Sequence, residues 1–160
     1  MKPNPRSILV VLGLLVLALT SSCASLGTPE DQRTAAVLWG QDMRDYRSWA
    51  QFDGFPGIQK SKSDMHGTYV ATYINGAAAG SPDDLPPGSV IVKENFSSAD
   101  PSTINGITVM KKIPGYDPDN GDWFWARFTP GGDLTHAGKV AMCADCHFDA
   151  GNDDYVFLND

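Results

Sequence analysis

ITVMKKIPGYDPDNGDWFWARF, residues 107–128, contains two extended runs separated by a turning loop. ITVMKKI (107–113) and WFWARF (123–128) are rich in β-branched and aromatic residues, which fill a pleated, half-buried surface. PGYDPDNGD (114–122) between them is made of turn formers. The same pattern repeats upstream. TYVATYIN (68–75) and SVIVKENF (89–96) read as strands, and SPDDLPPG (81–88) and SSADPSTING (97–106) as the loops that follow them. No helical pattern intervenes, so the strands are expected to form an antiparallel sheet.

Outside this block the periodicity changes. Residues 30–51 carry apolar side chains at 35, 38, 39, 43, 46, 49 and 50, close to helical spacing, with Glu30 and Asp31 at the start. A helix packed on the sheet is expected there, broken in two at Gly40. A second short helix is expected from about residue 135 into the C-terminal cysteines, and YVFL (155–158) as a last strand or turn. The fold class is α+β: mainly antiparallel sheet with a few short helices. The 16 Gly and 11 Pro favour short elements joined by many turns.

The first residues read as an export signal. Lys2 and Arg6 precede an apolar run at 8–19, too short for a comfortable membrane span. Residues 1–22 then resemble a bacterial lipoprotein signal peptide ending before Cys23, which would be lipidated. Thr20 stands where that pattern prefers Leu; ordinary cleavage nearby would leave Cys23 a spare thiol. Ala24 resembles an outer-membrane sorting residue, which places the protein in the periplasm on a lipid anchor. Residues 23–29 form a tether, and 30–160 one domain with one core. Removing Lys2 and Arg6 takes the net charge from −7 to −9. That balance argues against nucleic acid or an anionic lipid surface as partner.

Two cysteines remain, both in CADCH (143–147). C-x-x-C-H is the attachment pattern of c-type haem. Two thiols three apart on a turn can form thioethers to the two vinyl groups of one porphyrin, and the next imidazole then falls beneath the iron. Cys143 and Cys146 are therefore the attachment residues, His147 the proximal ligand, and one covalent haem c the cofactor. Zinc would need a fourth ligand, from His136 or the acidic residues at 149, 153 and 154. A disulfide is the third choice, since the setting is oxidising. A thioredoxin-like pair would lie after an early strand, not 14 residues from the end.

Small c-type cytochromes are mostly helical, with this motif near the N-terminus. A β-rich chain with a late motif differs. The stretches from Trp49 onward, HGTYVATYIN (66–75), GSVIVKEN (88–95), ITVMKKIPGYDPDNGDWFWARF (107–128) and CADCHFDAGNDDYVF (143–157) resemble, in order, the cytochrome P-460 family, including its β-sheet cytochromes c′. The resemblance implies a curved antiparallel sheet, often a homodimer, and a high-spin iron with an open, apolar distal face. It implies NO or hydroxylamine as the small-molecule ligand and a soluble redox partner. Lys93 matches the lysine that cross-links to the haem edge in the hydroxylamine-oxidising members, which makes it the candidate catalytic and cofactor-binding residue. From the residues alone, Lys93 could instead reach solvent or pair with Glu94 or another acidic neighbour.

Two positions depart from the enzyme pattern. Val70 stands where the enzyme has an arginine, and Ile107 or Thr108 where it has a distal carboxylate. Without that carboxylate, proton transfer falls to water. His66 lies where a distal side chain is expected; as a sixth ligand it would suit a periplasmic electron-transfer cytochrome. Phe52, Phe55 and Phe96 are candidates for an apolar cap, and His136 reads as a surface or helix-start residue. Trp123 and Trp125, two apart on one strand, share a face and should pack on the helix or the haem.

Overall fold

The computed structural model describes residues 25–80, 82–150 and 154–158. The expected signal peptide and Cys23 lie outside them. Six strands form one sheet in the order β1-β2-β3-β4-β5-β6, every neighbouring pair antiparallel. They are β1 (Gln59–Lys60), β2 (Tyr69–Ile74), β3 (Val90–Phe96), β4 (Ile104–Lys112), β5 (Trp123–Phe128) and β6 (Leu134–Gly138). The four strands expected from sequence are present, and the described residues form an α+β fold with two short α-helices.

Helix α1 (Pro29–Val37) starts at a capping box: the Thr28 hydroxyl accepts from the Asp31 amide, and the Asp31 carboxylate accepts from the Thr28 amide. It does not break at Gly40. It widens into a π-helical turn over Leu38–Asp42, followed by a 3₁₀ turn at Tyr46–Ser48. Ala35, Leu38, Met43 and Tyr46 pack with Val90, Val92, Ile107, Val109, Phe124, Ala126, Phe128 and Ala137 as one buried core on the back of the sheet. Successive side chains of a strand alternate faces, so the intervening residues point to the front. There Ile91, Met110, Trp123 and Trp125 form a second core with Phe52, Ile74, Leu85, Val140 and Ala144.

The helix expected from about residue 135 starts later, and its first residues form a strand. Residues 134–138 extend the sheet as β6, pairing Ala137 with Ala126 and His136 with Arg127. Gly138, at φ +102°, ends the strand. Helix α2 (Ala141–Phe148) begins after Val140 and carries the CADCH segment. Pairing with the open edge of β5 outweighs the weak helical signal of LTHAGKV. YVFL forms no strand; Asp154 and Tyr155 make a turn, and the Asp154 carboxylate takes the Leu85 amide and Lys112.

Candidate functional site

The front of the sheet carries an open cleft, with about 830 Å³ of space that includes solvent at its mouth. Strand register sets its floor. Lys93 faces Thr108, Thr108 faces Arg127 and Arg127 faces His136 across four consecutive strands. Ile91, Met110 and Trp125 form the next row. Helix α2 and the 3₁₀ turn Asp64–His66 complete the cleft with Met142, Cys143, Cys146 and His147, and with Met65 and His66.

His147 is 6% exposed. Its Nδ1–H donates to the Tyr155 carbonyl at 2.6 Å. A carbonyl only accepts, so the proton sits on Nδ1, and Nε2 is the nitrogen with the lone pair to ligate a metal. Trp125 and Phe157 lie against the ring with centroids 4.8 and 5.3 Å away. Cys143 is half-buried and Cys146 exposed, both as free thiols. Burial, then the charge of Cys146, pushes the Cys143 thiol up to about 11, with Arg127 acting against them.

The three residues of the motif and Lys93 therefore meet in one cleft. Lys93 is 7% exposed and lies on the face of β3 opposite Glu94. Adjacent residues of a strand point to opposite faces, and Glu94 takes the Tyr46 hydroxyl at 2.6 Å and Arg47 at 2.6–2.7 Å on the back. His66 also reaches the cleft. Its ring centroid lies 5.9 Å from that of His147, and its Nδ1 is 3.5 Å from the Thr108 hydroxyl.

Several expected site residues lie elsewhere. Phe52 and Phe55 pack in the front core beyond the cleft, and Phe96 is buried without lining it. Val70 and Ile107 are buried outside the cleft; Thr108 is inside it. His136 is not a helix-start residue but lines the cleft from β6, held below its usual pKa by burial and then by Arg127. Arg127 and Asn95 were not singled out from the sequence. The alternation in WFWARF carried the signal for Arg127, two residues beyond Trp125 and on the same face.

The donor set fits a covalently held haem. Two thiols and an imidazole protonated on Nδ1 share one helix beside the apolar row of Ile91, Met110 and Trp125, and can hold the porphyrin and its iron. The wall also contains two buried polar atoms without partners among the described residues, Trp125 Nε1 and Asn95 Oδ1. Such orphans are rare in protein interiors and point to a group that completes the site. Among the described residues, no three His, Cys, Asp or Glu side chains converge as a metal-ion site, and no helix is long and apolar enough to cross a membrane.

A comparison with family models matches residues 43–158 to the one described as Cytochrome P460. No curated protein matches the sequence. The matched span contains the whole cleft and most of the chain, and the chain belongs to the cytochrome P460 family.

Proposed function

We propose that this chain is an exported haem protein that binds or redox-processes small nitrogen species, NO or hydroxylamine. One haem c would be attached through Cys143 and Cys146 near the C-terminus, with His147 as proximal ligand. The observation that carries the reading is the His147 imidazole, its Nδ1–H fixed by the Tyr155 carbonyl, beside both cysteines in one cleft of a chain that belongs to the cytochrome P460 family. When bound, the haem supplies an iron that takes a small ligand and exchanges electrons.

The chain's own residues do the rest. The bond to Tyr155 orients His147 and raises its basicity as a ligand. Ile91, Met110 and Trp125 exclude water from one side of the cleft. Lys93 brings an amine to the floor, where it would tune or cross-link the haem edge. Among the described residues no carboxylate lines the cleft; a proton released by hydroxylamine would leave by water or through His66 beside the Thr108 hydroxyl. The leader implies export, lipidation at Cys23 and an outer-membrane anchor, with a soluble redox partner and a homodimer in the same setting.

The 5.9 Å between the His66 and His147 rings favours a second reading. Two imidazoles on one metal, each bonded at about 2.0 Å, put their centroids roughly 6 Å apart. A six-coordinate iron of that kind would carry electrons. The ferrous visible spectrum and a hydroxylamine assay separate the cases. A broadened, red-shifted Soret band with turnover, both lost in Lys93→Ala, indicates the cross-linked enzyme. An ordinary high-spin band with NO binding indicates the binding protein. A low-spin band that turns high-spin in His66→Ala indicates the carrier.

A further inference from the structure

Arg127 and His136 stand opposite each other across the β5–β6 ladder and both line the cleft. Arg127 is exposed, at the edge of the cleft. Its guanidinium lies over Gly106: a methyl group there would sit 3.3 Å from one of its nitrogens and 3.5 Å from Asn95 Nδ2. Among the described residues no acidic side chain pairs with Arg127. Among the described residues no Asp or Glu lines the cleft, which collects Lys93, Arg127, His66, His136 and His147. An acidic protein has concentrated cationic and N–H donor groups around one cavity. That arrangement is complementary to an anion.

We propose that Arg127, with His136 beside it, binds a carboxylate at the open end of the cleft, namely a propionate of the haem. The inference rests on the haem reading above. A guanidinium presents a planar fork that matches a carboxylate with two parallel hydrogen bonds. His136, kept neutral by burial and by Arg127, retains one N–H to donate. Trp125, 3% exposed and two residues from Arg127 on the same face, has an indole N–H without an acceptor among the described residues. Arg127 and His136 are thus positioning residues: they set the rotation of the porphyrin about the His147 axis and place positive charge at its edge.

The test uses the haem-loaded protein and its Arg127→Leu, Arg127→Lys and His136→Gln variants. Two readouts are taken: the midpoint potential of the iron against pH, and the N–O stretch of the ferrous NO adduct. Arg127→Leu should lower the potential, because a nearby cation favours the electron-rich ferrous form. It should also move the pH-dependent step of the propionate upward by about one unit or more, since an opposite charge holds a carboxyl pKa down. Arg127→Lys should restore most of both changes, and His136→Gln should shift the step less, with the N–O stretch constant throughout. An altered N–O stretch with an unmoved pH step would overturn the proposal and put Arg127 beside the iron-bound ligand, where a free anion such as nitrite would meet it. No change in either readout would also overturn it, leaving Arg127 a solvent-facing residue. A wild type that takes no haem fails the haem reading, and this proposal falls with it; indifferent variants of a haem-loaded wild type sink this proposal alone.

Discussion

Cys143 and Cys146 sit on the same helix in unequal surroundings. Burial holds Cys143 as a thiol, pushed up to about 11, while Cys146 is exposed. Thiolate is the reactive form. In the haem-free chain at pH 8, a mass-resolved alkylation time course should therefore modify Cys146 well before Cys143; equal rates would mean that α2 does not pack as described. Glu94 makes a separate prediction. It is 4% exposed and accepts from Tyr46, Arg47 and Tyr73. Glu94→Gln weakens a charge-assisted set that ties the Tyr46–Ser48 turn to β3. The cost should be about 1.5–3 kcal/mol in urea unfolding, with the haem spectrum unchanged because Glu94 faces away from the cleft. A spectral change without a stability change would contradict the two-faced reading of β3.

At the scale of elements, α1 is held to the sheet by Asp31. Its carboxylate caps the helix through Thr28 and takes the Tyr116 hydroxyl at 2.5 Å from the β4–β5 loop. Burial alone would raise its pKa; the hydrogen bonds from Tyr116 and Thr28 and the charge of Lys139 outweigh burial and hold it below the usual 3.8. A folded-state pKa below the unfolded one stabilises the fold at all pH above the unfolded value. That stability is lost as pH falls through the folded value. Asp31→Asn should thus cost about 1–3 kcal/mol at pH 7, and the gap to wild type should narrow below about 3.8. Denaturation at pH 7 and pH 3 checks both; a gap constant with pH would exclude the carboxylate as the cause. The four central strands were legible because each alternates or fills with β-branched and aromatic residues. LTHAG was not, because five residues with two apolar side chains specify little until β5 offers an edge. The π-helical turn passes through Gly40 because tertiary burial of Leu38 and Met43 overrides a local breaker. CADCH is a local motif and could be read from sequence. Arg127, Asn95 and His136 join the site only through the register of β3 to β6, which no short window of sequence contains.

At the scale of the molecule, a single meander separates two tasks by the parity of its strands. Odd positions of β3 and β5 face the cleft; even positions pack on the helical segment that begins with α1. The back core therefore holds the fold, and the front can give its side chains to a bound group. A covalent haem would add its own stabilisation to that front, because a group held only by the native state shifts folding toward it. The most direct measurement is made on the full chain matured in cells that attach haem c, unfolded in denaturant and reduced, with its intact mass and visible absorbance recorded together. The haem should remain on the polypeptide through unfolding, with one haem per chain. It should be lost from that covalent species in the Cys143→Ala, Cys146→Ala double variant. A chain that emerges from unfolding without haem, or a double variant that keeps it covalently, would contradict the assignment of Cys143, Cys146 and His147.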